Sequence, residues 1–315
     1  MNRRDFSKTI AVAGAGLAAG SVNPGLLAKP TGSKDKLEVH LFSKHLQFLN
    51  YKDSAEAAAE MGFDGLDLAV RPNGHVLPER AEEDLPKATE AIKSAGLKTA
   101  MFVSRITSSE DAVGIRSLEV AAKLGFKHYR YGYFRFQEDI SYRQNLRLYR
   151  NELEKLAMVN ERLGLHGAYQ NHAGRNIGSY VTDLALMLDG MDPRWTGCQY
   201  DIRHATVEGG TAWPRGLGFL KNHIRTMPIK DFIWEKTAKG WSVKNVPLGE
   251  GMVDFDRFFK ELRSHGLKPL VSLHTEYDLG GAEKGRTEIS WPKKDIFAAM
   301  KKDLRFLHRA WEASA

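Results

Sequence analysis

The chain has 315 residues, of which 42% are hydrophobic and 27% charged, an ordinary composition for a folded globular protein. The formal net charge is +7, but the basic residues are scattered, which argues against nucleic acid as a partner and leaves small anionic substrates open. The single cysteine, Cys198, excludes an internal disulfide framework, and its apolar surroundings predict a small buried side chain.

Residues 1–28 have the pattern of an export signal. The pair Arg3 and Arg4 precedes a stretch of small apolar residues at 9–20, which is too short to span a bilayer as a helix. We therefore predict no stable membrane insertion. The paired arginines resemble the twin-arginine signal, which predicts export to the periplasm as a folded chain. The alternative is a disordered basic segment.

Five glycines mark the ends of predicted helices, because each follows an amphipathic stretch and precedes an apolar run. Glycine adopts the left-handed conformation that ends a helix at little cost. These residues are Gly62, Gly96, Gly125, Gly164 and Gly266. Their first spacings are 34, 29 and 39 residues, and the last gap of 102 residues has room for three further units. The chain is thus predicted to alternate regularly between helices and strands.

This alternation predicts an α/β fold, a single (β/α)8 TIM barrel over residues 37–315, preceded by a polar linker at 29–36. The predicted strands are 37–42, 65–69, 98–103, 128–131, 165–170, 196–200, 225–229 and 269–273. The predicted helices are 54–61, 85–95, 112–124, 142–163, 182–188, 217–222, 255–265 and 295–312. The alternative is an open doubly wound sheet, but no glycine-rich phosphate-binding turn follows the first strand. The long loops 71–83 and 232–254 are expected to line or cover a site.

Polar side chains follow four predicted strands at the point where each strand ends, and Asp67 on the second strand is expected to join them. They are Gln170 with His172, Asp201 with His204, Lys230 with Asp231, and His274 with Glu276. The C-terminal ends of parallel strands meet at the mouth of a barrel, where oxygen and nitrogen ligands would suit Mn²⁺, Mg²⁺ or Zn²⁺. A single Asp or His at a strand end more often caps a loop or helix than binds a metal. The prediction of a metal site therefore depends on the presence of such residues at four strand ends.

These stretches resemble the xylose isomerase-like barrel superfamily, the sugar isomerases and epimerases, from residue 37 to about residue 313. The motifs that carry the resemblance are Gly62-Phe-Asp-Gly-Leu-Asp67, Tyr169-Gln-Asn-His172, Tyr200-Asp-Ile-Arg-His204, Ile229-Lys-Asp231, Leu248-Gly-Glu-Gly251 and Glu276. Each motif is short, but their order and spacing together are specific for the superfamily. They are not specific for a substrate.

The resemblance implies one divalent metal ion held by four residues, a Glu, an Asp, a His and a Glu at the ends of the fifth to eighth strands. Asp201 and Glu276 match this pattern. Gln170 replaces the first Glu and offers only a neutral carbonyl oxygen, and Pro228 replaces the His and offers no ligand. The missing nitrogen could come from one of three histidines, His204, His172 and His274. The expected metal ligands are Asp201, Glu276, Gln170 and His204.

The reaction implied by the resemblance is proton abstraction next to a carbonyl of a sugar or keto-sugar, with the metal polarising the oxygens. Gln170 cannot act as a base, so Glu276 is the expected base, and Lys230 or His172 is expected to deliver the proton from the other face. Contacts with the carbohydrate are expected from six residues: Asp67, Arg71, His75, Asp231, Trp234 and His274.

Other functions remain open at this point. The same barrel could be a lyase or hydrolase that cleaves a 3-keto-glycoside. That reaction needs a base and a metal, but it does not need two bases on opposite faces of the sugar. It could also bind carbohydrate without catalysis, with Trp234 and Trp241 stacking on the sugar. DNA repair of the endonuclease IV type is disfavoured, because three zinc ions need more His and Glu ligands. The expected partner is a small carbohydrate, free or oxidised, and a homo-oligomer is left open.

Overall fold

The computed structural model describes residues 35–315, so the predicted export signal and residues 29–34 of the predicted linker lie outside the described residues. Eight strands build the barrel: β1 Val39–Phe42, β2 Gly65–Ala69, β3 Lys98–Val103, β4 His128–Arg130, β5 His166–Gln170, β6 Thr196–Gln199, β7 Thr226–Ile229 and β10 Leu270–Leu273. The helices of the described part are α1 Tyr51–Met61, α2 Ala81–Ser94, α3 Ala112–Leu124, α4 Tyr142–Leu163, α5 Val181–Leu188, α6 Ile202–Gly209, α7 Trp213–Leu220, α8 Phe255–Ser264 and α9 Lys293–Ala313.

The eight barrel strands form one parallel sheet in the order β6-β5-β4-β3-β2-β1-β10-β7. A single parallel bridge between Cys198 and Ile224 brings the two edges of this sheet together, so that the barrel is nearly closed. The predicted (β/α)8 TIM barrel is therefore confirmed. Its C-terminal mouth collects the ends of all eight strands, including the four that carry the predicted polar residues.

The predicted helix ends are local features that the sequence specifies directly. Gly62, Gly125 and Gly164 are the C-caps of α1, α3 and α4, with φ values of 94°, 97° and 66°. At the start of α4, Ser141 and Gln144 form a reciprocal capping box that satisfies backbone N–H groups of the first turn. These caps fix where each helix turns back towards the barrel.

The outer helices pack on the barrel through apolar faces at helical spacing. In α8, Phe255, Phe258, Phe259 and Leu262 are all buried. Phe258 stacks on Tyr200 behind β6, with the ring centroids 6.4 Å apart. Each such side chain contributes about 1.5–3 kcal/mol of stability by leaving water. This packing holds the segment after β6, and therefore the residues that follow it, against the barrel.

Two elements lie where the sequence predicted none. The predicted loop 232–254 contains an antiparallel hairpin of β8 Asp231–Thr237 and β9 Gly240–Val246, which rises from the end of β7. Helix α6 begins directly after Asp201, whose side chain accepts a hydrogen bond from the backbone N–H of His204. Between residues 35 and 315, no helix has the length and apolar character needed to cross a membrane.

Candidate active site

A cavity of about 210 Å³ opens at the C-terminal mouth of the barrel. Its lining comes from all the barrel strands except β6: Phe42, Lys44, Arg71, Arg105, Arg130, Tyr133, Gln170, His172, Lys230, His274 and Glu276. A larger cavity of about 850 Å³ lies under the loop at 278–290, but none of the predicted site residues line it. The mouth of the barrel is therefore the candidate active site.

Two carboxylates at this mouth are bridged by the ammonium group of Lys230. Its Nζ lies 3.0 Å from Glu276 Oε2 and 3.4 Å from Asp201 Oδ2. Burial alone would lower the pKa of Lys230, but the two carboxylates outweigh this effect and raise the pKa. Lys230 thus remains an ammonium ion, positioned between the two residues that the resemblance assigns to the metal.

A second lysine, Lys44, follows β1 and contacts the other oxygen of the same glutamate. Its Nζ donates to Glu276 Oε1 at 2.9 Å. Burial would raise the pKa of Glu276, but Lys230 and Lys44 more than offset it and hold that pKa well below its ordinary range. Burial lowers the pKa of Lys44 in spite of this ion pair. Glu276 is therefore an ionised carboxylate flanked by two ammonium groups.

Gln170 connects Asp201 to the opposite side of the mouth. Its Oε1 accepts from Arg130 Nη1 at 2.8 Å and from Tyr133 OH at 2.6 Å, and its Nε2 donates to Asp201 Oδ2 at 2.7 Å. The amide orientation follows from its partners, since an arginine can only donate and an ionised carboxylate can only accept. The carbonyl oxygen of Gln170 is thus already used by two donors.

His204 lies beneath Asp201 as a neutral imidazole. Its Nδ1 faces two donors, the backbone N–H of Ala173 at 3.1 Å and Arg203 Nη1 at 2.8 Å, so the ring proton is on Nε2. Nε2 lies 3.6 Å from Asp201 Oδ2. Burial, with Lys230 as the next contribution, lowers the pKa of His204 well below its usual value. Neither ring nitrogen presents a free lone pair towards the mouth.

The predicted metal ligands are therefore arranged in a way that does not fit a divalent ion. Within residues 35–315, no group of three or more His, Cys, Asp or Glu side chains is placed to hold a metal. Asp201 caps α6 and accepts from Gln170, and a lysine takes the position between the carboxylates where a cation is expected. The metal ion that the resemblance implies remains a prediction.

Two further predicted residues, His172 and His274, line the cavity as neutral rings. His172 Nδ1 donates to the Ala173 carbonyl at 2.9 Å, which leaves Nε2 as an acceptor. His274 stacks on Phe42 with the ring centroids 4.6 Å apart, and its Nδ1 lies 3.6 Å from Glu276 Oε1. Burial lowers the pKa of each histidine to about 4. Both rings can orient hydroxyl groups without adding positive charge.

Of the six residues predicted to contact substrate, Arg71 and His274 line the cavity and four lie elsewhere. Asp67 is fully buried inside the barrel, where it accepts from Ser272 Oγ at 2.6 Å, and burial raises its pKa to about 6. His75 Nε2 contacts the Leu49 carbonyl at 3.0 Å. Asp231 accepts from backbone N–H groups of the loop after the hairpin. Trp234 lies on the hairpin and is 40% exposed.

Five residues of the cavity were missed from the sequence, namely Phe42, Lys44, Arg105, Arg130 and Tyr133. Each stands at or within three residues of the end of β1, β3 or β4. The predicted strand ends could therefore have indicated them. A pattern of metal ligands does not indicate them, because Phe, Tyr, Lys and Arg side chains are not the ligands that Mn²⁺, Mg²⁺ or Zn²⁺ prefers.

Comparison with known proteins gives the following matches. A sequence model of the family described as "Xylose isomerase-like TIM barrel" matches residues 55–302. Among solved structures, 3-keto-D-glucoside 4-epimerase from E. coli superposes with a TM-score of 0.63 at 16% identity, covering 87% of this chain and 100% of the other. D-allulose 3-epimerase from Methylomonas sp., in complex with D-allulose, gives 0.64 at 16% identity, covering 88% and 98%.

A third solved structure, a xylose isomerase-like TIM barrel protein from Mycobacterium smegmatis in complex with magnesium, gives a TM-score of 0.60 at 11% identity. The match covers 84% of this chain and 89% of the other. No curated protein sequence matches the chain. At these identities the superpositions establish the shared fold.

Proposed function

Because the chain belongs to the xylose isomerase-like TIM barrel family, we propose that it is a sugar isomerase or epimerase that moves a proton next to a carbonyl. Two epimerases with the same fold act on carbohydrates by their names, a 3-keto-glucoside and allulose. The observation that carries the proposal is the ionised carboxylate of Glu276, held between two ammonium groups in a monosaccharide-sized cavity.

In the proposed reaction, a Glu276 oxygen takes the proton from the carbon beside the substrate carbonyl. The electron pair moves into the new carbon–carbon double bond, and the carbonyl oxygen acquires negative charge as an enediolate. The ammonium of Lys230 keeps its proton and stabilises this charge electrostatically, because its pKa is raised. Lys44, whose pKa is lowered by burial, is better suited than Lys230 to donate a proton to an oxygen and to take it back.

The presence of one carboxylate base favours isomerisation over epimerisation. Glu276 can remove a proton from one carbon and return it to the neighbouring carbon on the same face. Inversion of one carbon requires an acid on the opposite face, where Gln170 cannot serve and the neutral ring of His172 presents an unprotonated Nε2. We therefore assign the two ends of a 1,2-proton transfer to Glu276.

A second candidate function is elimination from a 3-keto-glycoside, since it also needs one base and a stabilised enolate. The same single carboxylate favours it over a reaction that inverts a carbon. Product analysis separates the two, because elimination releases an aglycone or a free sugar and isomerisation preserves the molecular mass. A carbohydrate-binding barrel would give neither product.

The test is exchange of the substrate proton in D₂O, followed by NMR with a panel of aldoses, ketoses and keto-sugars. The expected result is incorporation of deuterium next to the carbonyl, lost in Glu276→Gln. Glu312→Gln on the exposed face of α9 is the matched control and should exchange at the wild-type rate. Exchange that persists in Glu276→Gln would remove the proposed base, and the absence of exchange with every sugar would remove the proposed function.

We also propose that the chain is exported to the periplasm through its paired arginines. Arg3 and Arg4 precede an apolar stretch, and a twin-arginine signal requires both side chains. The test is cell fractionation of the full chain and of an Arg3→Lys, Arg4→Lys double variant. Wild type in the periplasmic fraction with the variant retained inside the cell supports the proposal, and an identical distribution of the two contradicts it.

A further inference from the structure

The charges around the mouth of the barrel are divided into two groups. The first group follows the neighbouring strands β6, β7, β10 and β1. There the carboxylates of Asp201 and Glu276 form ion pairs with the ammonium groups of Lys230 and Lys44. Across the barrel, β2, β3 and β4 are adjacent strands, and each is followed or ended by an arginine of the cavity lining: Arg71, Arg105 and Arg130. In residues 35–315, none of these three arginines forms an ion pair with a carboxylate within 4.0 Å.

Arg130 is the most deeply placed of the three, with 8% of its surface exposed. Its Nη1 donates to Gln170 Oε1 and to Tyr133 OH at 2.8 and 3.0 Å, and its guanidinium lies 4.9 Å from the centroid of the Tyr133 ring. All of these partners are neutral, and its Nε has no hydrogen-bond partner. Arg130 is thus a buried positive charge with no carboxylate in direct contact, and the charge that reaches it from inside the barrel is that of Asp67.

The neighbouring arginines add positive charge to this side of the cavity. Burial lowers the pKa of Arg71 to about 10, and repulsion by Arg130 and Arg105 contributes to the shift. The histidines of the cavity, being neutral, neither add to the charge nor offset it. The three guanidinium groups repel one another across one small cavity, and a bound anion would relieve this repulsion.

Gln170 has a clear electrostatic role in this arrangement. A glutamate at the same position would place an ionised carboxylate 2.8 Å from Arg130 and neutralise it. The amide instead holds Arg130 by a hydrogen bond and leaves a positive charge in the cavity lining without an adjacent carboxylate. The replacement that weakens the predicted metal site thus preserves a site for an anion.

We propose that the cavity binds an anionic monosaccharide, whose carboxylate or phosphate is held by Arg71, Arg105 and Arg130 while its carbonyl end meets Glu276. This inference rests on the proposed function for the role of Glu276, and deepens it by naming the class of substrate. Planar guanidinium groups match both anions through paired hydrogen bonds. The cavity volume of about 210 Å³ limits the ligand to roughly one sugar unit.

The experiment is calorimetric titration of the full chain with three matched series: hexuronates, the corresponding neutral hexoses, and hexose 6-phosphates. Acidic sugars are expected to bind at least tenfold more tightly than the matched hexoses, and higher salt should weaken only the acidic series. In Arg105→Gln, the affinity for the acidic sugar should fall by about tenfold, and the preference for the acidic sugar over the matched neutral sugar should fall with it. Arg147→Gln, on an exposed position of α4, is the matched control and should bind like wild type.

The two acidic series identify the anion, since a preference for hexuronates indicates a carboxylate and a preference for hexose 6-phosphates a phosphate. Equal affinities for acidic and neutral sugars, an Arg105→Gln variant that binds like wild type, or no binding in any series would each overturn the inference. Proton exchange with neutral sugars alone would overturn it while leaving the proposed function intact. Arginine-dependent binding of acidic sugars without exchange would support the anion site and remove the proposed chemistry.

Discussion

The ammonium nitrogen of Lys230 lies 3.0 Å from Glu276 Oε2, so a fixed positive charge is in contact with the group we propose as the base. In the pattern that the sequence resembles, a metal ion would stand between Glu276 and Asp201. Here the side chain of Lys230, the residue that follows β7, takes that position. In the reaction that we propose, the polarising charge is therefore part of the chain.

The first prediction concerns metal content. Purified protein, loaded with Mn²⁺, Zn²⁺ or Mg²⁺ and then desalted, should retain far less than one ion per chain. The physical reason is that Lys230 repels a cation and that Gln170 and His204 use their acceptor atoms in other hydrogen bonds. The measurement is elemental analysis of wild type and Asp201→Ala. One ion per chain in wild type that is lost in the variant would restore the predicted metal site.

The second prediction concerns Lys230→Met. The turnover rate should fall by about 10²–10³-fold, because the developing negative charge loses its nearest fixed donor. The pKa of Glu276 should rise towards its usual value, so the acidic limb of the pH–rate profile should move to higher pH.

Removing Lys230 also leaves two neighbouring carboxylates less compensated, so the melting temperature of the variant must be measured alongside its rate. Lys230→Arg retains the charge and should keep the acidic limb near its wild-type position. Lys260→Met, at an exposed position of α8, is the control and should match wild type. A Lys230→Met variant with unchanged turnover would contradict the proposed stabilisation of the enediolate.

The third prediction is a loss of stability in mild acid through His166. Burial lowers the pKa of this residue to about 3, and both ring nitrogens lack hydrogen-bond partners. The unfolded chain takes up a proton as the pH falls below about 6.5 and the folded chain does not, so stability falls with the pH from there. At pH 5 the contribution of this one histidine is about 2 kcal/mol.

Chemical denaturation of wild type and His166→Asn at several values of pH measures this effect. Whatever its absolute stability, the variant should lose less stability than wild type between pH 7 and pH 5. Parallel pH dependences in the two proteins would show that His166 is protonated in the folded chain.

The fourth prediction assigns Asp231 to stability and not to substrate binding. Its carboxylate accepts from the backbone N–H groups of Gly249, Gly251 and Val253 at 3.0, 3.0 and 3.1 Å, and so holds the loop after the hairpin. Asp231→Ala should destabilise the fold by about 2–4 kcal/mol and leave KM nearly unchanged. The measurements are thermal unfolding and steady-state kinetics at a temperature where the variant is folded. A large rise in KM without destabilisation would show that Asp231 contributes to substrate binding.

The fold could be predicted closely because its signals are local. The strands at 65–69 and 98–103 match β2 and β3 to the residue, and helix ends followed from glycines that the backbone needs for its left-handed turns. The hairpin β8–β9 was missed because most of its side chains are exposed or half-buried, so it lacks the apolar run that marked the buried strands.

The sequence predicted which strand-end residues would lie together, but not the hydrogen bonds that they make. Asp201, Lys230 and Glu276 stand within three residues of the ends of their strands, and parallel strands bring them together. The hydrogen bonds that decide their roles come from distant parts of the chain, such as Arg130 on Gln170 and the Ala173 N–H on His204. Such partners depend on the tertiary structure, and the spacing of residues along the sequence does not reveal them.

The closure of the barrel between β6 and β7 has a kinetic consequence. Only one bridge, between Cys198 and Ile224, joins these strands, whereas the other neighbours share at least three paired positions. Local opening of the native protein is expected to start at this seam. Cys198 is fully buried there, so its alkylation rate reports each opening event. Because Asp201 and Lys230 lie on the two sides of the seam, every such event also separates the charges of the site.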